Sequence, residues 1–108
     1  MSIGMSLETV RSEITRVDAE ILRLIAQRQE LAAKIARIKL HQGIPVRDDH
    51  RAANVLDSVS HQAVEHHIDP VAIRKIFEIL IAMSEERQRE YSGGAGPEKL
   101  MNNAQKDD

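Results

Sequence analysis

Four polar side chains stand where apolar ones are due. From Leu7 to about Leu40 the apolar positions are Leu7, Val10, Ile14, Val17, Ile21, Leu24, Leu31, Ile35 and Ile38. They advance in steps of three and four, and the single gap in this heptad stripe is filled by Arg28. Lys39 follows eleven residues later, and eleven steps of 100° bring it within about 20° of Arg28 around a helix. Further along, the stripe Ile73, Phe77, Leu80 continues as Ser84 and Gln88, one turn apart. Unpaired cations turned inward are costly, so an anion is expected between them. Taken singly, Arg28 would pair with a carboxylate such as Glu30 or Asp48, and Lys39 would extend its stem to water. Four polar groups converging from two segments, with no buried carboxylate evident to match them, point instead to a small anionic ligand.

The elements that must carry these groups are helices. No glycine or proline interrupts the first stripe before Gly43 and Pro45, and Ser6 is placed to cap it, with Thr9 at the third helical position. A helix of about 34 residues is roughly 50 Å long, whereas a compact domain of this size has a radius of gyration of about 13 Å. The helix must therefore project beyond its own globule. Its stripe needs a partner, and a second copy of the chain is the economical one. Gly43-Ile-Pro-Val-Arg47 reads as an extended connection. A second helix begins near Asp48 or Asp49, turns Val55, Leu56, Val59 and Ala63 inward, and ends near His66–His67. Asp69-Pro70 opens a third, with a capping carboxylate and a proline at the first helical position. The expected fold class is all-α, with three helices per chain. Residues 1–6 are expected to form a flexible start, 7–92 a helical domain, and the glycine-rich then polar stretch 93–108 a disordered tail.

Composition narrows the chemistry. Aromatic residues are 2% of the 108, so base stacking on aromatic platforms is close to excluded. The 15 basic residues are offset by 17 acidic ones, which gives no case for nucleic acid or an anionic membrane surface. Cysteine is absent, and with it disulfides, thiolate zinc sites and cysteine nucleophiles. His61, His66 and His67 do not stand at i and i+4 and no acidic ligand completes a set, so no metal is expected. The longest apolar run, Ile79 to Met83, is too short to span a bilayer. The start lacks a basic region followed by an apolar one, so a cytoplasmic location is expected. The run Glu85-Glu-Arg-Gln-Arg-Glu90 reads as an exposed face, with Gln88 the exception.

Arg11, Arg28, Lys39, the run Pro45-Val-Arg-Asp48 followed by Arg51, and the pair Ser84 and Gln88 together resemble the all-helical chorismate mutases. The phrases Ile25-Ala-Gln-Arg28-Gln-Glu-Leu and His66-His-Ile-Asp69 do so too, and the likeness covers roughly residues 7 to 90. The resemblance implies an intertwined homodimer that converts chorismate to prephenate without a cofactor, in aromatic amino-acid biosynthesis. It implies that Arg11 comes from the partner chain and, with Arg28, clamps carboxylates. Along one helix Arg11 lies roughly 25 Å from Arg28, too far to share a small ligand within one chain. It further implies that Arg51 and Ser84 hold the ring-carboxylate side and that Lys39 and Gln88 donate to the ether oxygen. One position departs: the residue after Arg51 is usually a glutamate that contacts the ring hydroxyl, and here it is Ala52. Asp48, one turn earlier, could contribute in its place. Ala52 leaves open elimination of pyruvate from isochorismate on the same scaffold. A non-catalytic helical dimer or ligand-sensing module is the third reading.

Overall fold

The computed structural model describes residues 6–92, which form three α-helices: α1 (Leu7–Gln42), α2 (Asp49–Glu65) and α3 (Pro70–Ser92). The expected tail, 93–108, lies outside the described residues, as do the first five positions. Each helix starts on the residue whose chemistry suits a start. The Ser6 hydroxyl accepts from the Thr9 amide at 3.0 Å, the Asp48 carboxylate from the Arg51 amide at 2.9 Å, and the Asp69 carboxylate from the Val71 amide at 2.9 Å. Ser6, expected within a flexible start, is thus the N-cap of α1. Helix α1 runs two residues past Leu40 and ends on Gly43, whose φ of 68° is the left-handed value that glycine adopts without strain.

The 36 residues of α1 give the chain its length, and the radius of gyration is 18.6 Å with extents of 63 × 37 × 19 Å. This exceeds the roughly 13 Å of a compact domain of similar size. Helix α3 packs on both α1 and α2. Against α3, α1 buries alanines rather than its heptad stripe: Ala32, Ala33 and Ala36 are buried, Ala36 completely. Small side chains let the two helices approach closely, which brings longer residues on either side of the seam within reach of one another. On the inner face of α2, Ala63 is buried and Val55, Leu56 and Val59 are half-buried.

The heptad stripe itself is uncovered. Leu7, Ile14, Val17, Ile21, Leu24, Leu31, Ile35 and Ile38 are between 43% and 67% exposed. An apolar groove of about 410 Å³ opens along it, walled by Ile21, Leu24, Ile25 and Leu31 from α1 and by Ile76, Phe77 and Leu80 from α3. No helix among the described residues is long and apolar enough to cross a membrane.

Candidate active site

Arg28, Lys39, Asp48, Arg51, Ser84 and Gln88 all line one cavity of about 240 Å³, together with Ile35, Val46, Ala52, Val55, Ile81 and Glu85. All three helices and the α1–α2 connection contribute to it. Of the substrate-binding residues expected from the sequence, Arg11 alone is elsewhere. It sits near the start of α1, exposed, and does not line this cavity.

Neither bland expectation for the two interior cations describes their contacts. Arg28 Nη1 donates to the Leu80 carbonyl at 3.1 Å and to Ser84 Oγ at 2.9 Å. Both acceptors are neutral. The Arg28 pKa is drawn down first by burial and then by the charge of Arg51. Two guanidiniums therefore face one space, and an anion entering it relieves their repulsion. The contacts to Leu80 and Ser84 use only Nη1, which leaves Nη2 and Nε to form the fork that grips a carboxylate. Because Ser84 Oγ accepts from Arg28, the hydroxyl proton can point into the cavity.

Lys39 does not reach for water. Its Nζ donates to the Val46 carbonyl at 2.8 Å and to Gln88 Oε1 at 2.9 Å. An ammonium has three protons, so one remains for the cavity. Gln88 is 7% exposed, and by accepting from Lys39 its carbonyl fixes which way the amide lies, leaving the NH₂ end to donate. Two donors are thereby locked side by side on one wall. Gly43 makes this possible locally: it ends α1 just past Lys39 and folds the chain back, so that the Val46 carbonyl meets the lysine four residues into the helix. On the opposite side, Asp48 caps α2 and so sets the first turn that carries Arg51 and Ala52.

Glu85 was the residue that pattern reading missed. Within a charged run it looks solvated, yet its side chain is only 19% exposed and lines the cavity. Its place one step after Ser84 and three before Gln88 on the same helix was the available signal. No group of three or more potential metal ligands occurs among the described residues.

Residues 10–89 match the family described as Chorismate mutase type II. The chain is 38% identical over 85 residues to a chorismate mutase from Methanocaldococcus jannaschii, covering 79% of this chain and 86% of that protein. It is 33% identical over 75 residues to the bifunctional chorismate mutase/prephenate dehydratase of Escherichia coli K12. That alignment covers 69% of this chain and spans 19% of the larger protein. A 4-amino-4-deoxychorismate mutase from Streptomyces pristinaespiralis is 30% identical over 92 residues, 82% of this chain and 70% of that one. A family match across nearly all of the described helices, on a chain whose polar groups gather in one cavity, identifies this chain as a member of the chorismate mutase type II family.

Proposed function

We propose that this chain is a chorismate mutase, rearranging chorismate to prephenate, and that it acts as a homodimer in the cytoplasm. The observation that carries the reading is the Lys39–Gln88 pair at 2.9 Å, which sets two donors in the wall of a cavity that also holds the guanidiniums of Arg28 and Arg51. The rearrangement is pericyclic: the ether C–O bond breaks as a C–C bond forms. No proton must be transferred and no nucleophile must attack. The reaction needs the dicarboxylate held in its compact diaxial conformer and negative charge stabilised as it grows on the ether oxygen. In this reading Arg28 holds a substrate carboxylate, Arg51 and Ser84 hold the ring-carboxylate side, and Lys39 and Gln88 donate to the ether oxygen. A removed donor of this kind costs about 3 kcal/mol, a hundredfold or more in rate. No cofactor is required.

A second copy of the chain is proposed to cover the heptad stripe and to bring its own Arg11 to the cavity. Two features support this. The stripe is exposed on the single chain, and the apolar groove beside it shares Arg28 with the cavity. A single helix cannot deliver Arg11 to the cavity of its own chain, but an antiparallel partner can.

Incubating the purified protein with chorismate tests the reading through loss of substrate absorbance and appearance of prephenate. Release of salicylate from isochorismate without prephenate from chorismate would select the lyase. No turnover of either would select a non-catalytic module. Cell fractionation checks the location.

A further inference from the structure

The wall around Ala52 and Glu85 carries an inference that rests on the proposed reading. Besides its carboxylates and ether oxygen, chorismate carries a ring hydroxyl, a donor that needs an acceptor. Most polar groups in the cavity are donors: Arg28, Arg51, Lys39, the Gln88 amide and the Ser84 hydroxyl. Two acidic residues line it, Asp48 and Glu85. Asp48 commits one oxygen to capping α2, accepting the Arg51 amide at 2.9 Å. The carboxylate of Glu85 is mostly shielded from solvent, and its ion pair with Arg89 is long, at 3.8 Å. Position 52 offers only a methyl group, so it supplies no acceptor and leaves room beside one.

We propose that Glu85 is the specificity-determining residue of this cavity, accepting from the polar substituent of the substrate ring. A carboxylate placed there binds an ammonium more strongly than a hydroxyl, because both partners of the contact are then charged. The site is therefore open to ring-amino analogues of chorismate as well as to chorismate itself. The competing role for Glu85 is that of a counter-charge, holding Arg89 and balancing the cations around the cavity. The charge of Glu85 also reaches Arg47, whose pKa is raised mainly by its hydrogen bond to Asp49 and to a lesser extent by Glu85.

The test compares kcat/KM for chorismate and for the analogue with an amine in place of the ring hydroxyl, across wild type, E85Q, E85A, the E85A/A52E double variant and R89A. Wild type is expected to turn over both. E85A is expected to lose about tenfold or more on chorismate and more again on the amine. E85Q keeps an acceptor oxygen without the charge, so it is expected to retain most activity on chorismate while losing the amine. Returning a carboxylate to the cavity from position 52 in E85A/A52E is expected to recover chorismate turnover. Equal losses on both substrates in E85A, refusal of the amine by wild type, or an R89A variant that reproduces the E85A pattern would overturn the proposal. A wild-type protein that converts neither substrate would bring down the functional reading and this inference together. Chorismate turnover with an unmoved substrate ratio would bring down this inference alone.

Discussion

At the scale of single residues, the protonation states of the side chains proposed to meet the ether oxygen decide the outcome. Gln88 donates at any pH because an amide does not titrate, whereas a glutamate donates only when protonated. Gln88→Glu is therefore expected to be active at acid pH and to lose activity as pH rises through the carboxyl pKa. Lys39 Nζ, 2.9 Å from Gln88 Oε1, would stabilise the carboxylate and push that loss toward lower pH. A pH profile of kcat/KM that stays flat in this variant would remove Gln88 from the ether contact. Arg28→Lys is expected to cost about as much as loss of a full donor, near 3 kcal/mol of transition-state stabilisation. A lysine cannot hold Ser84, the Leu80 carbonyl and a carboxylate with one planar fork. Steady-state kinetics reads this directly.

At the scale of elements, caps and seams place these residues. Asp48→Ala removes the cap of α2 and is expected to cost about 1 kcal/mol of stability, read by thermal or urea denaturation. It should also raise KM, because Arg51 stands in the first turn that the cap holds. Ala36→Leu is expected to cost more, about 1–3 kcal/mol, since Ala36 is fully buried at the α1–α3 seam and has no room for a larger side chain. Much of this level was legible in the sequence. Ser6, Asp48, Asp69-Pro70 and Gly43 mark helix ends through local chemistry, and the observed bounds fall within a few residues of those expected. The inward positions of Arg28, Lys39, Ser84 and Gln88 followed from helical periodicity. The alanine seam was less visible, because alanine carries little pattern signal and the seam lies on the face of α1 next to the stronger stripe. Also hidden were the Val46 carbonyl, a backbone group whose aim depends on the turn at Gly43, and the place of Glu85 in the cavity lining despite its charged run.

At the scale of the whole molecule, the described residues include only four buried apolar ones, all alanines, which leaves a single copy short of core. The proposed homodimer predicts that Ile21→Glu, a charge placed in the exposed stripe, yields a monomer by sedimentation and abolishes turnover. It also predicts complementation. Arg11→Ala and Lys39→Ala are each expected to be inactive alone. Mixed, refolded and allowed to exchange, they should restore about a quarter of wild-type activity, since half the dimers are mixed and each holds one complete site of two. Mixtures that stay dead would show that Arg11 does not cross between chains.

The uncovered stripe also has a bearing on gene dosage. If the proposed homodimer completes the sites, then where copies are scarce enough to be mostly apart the number of finished sites would vary with the square of the amount of chain, and halving synthesis would leave about a quarter of the catalytic capacity. Expression level would then act on pathway flux more steeply than it does for an enzyme complete in one polypeptide.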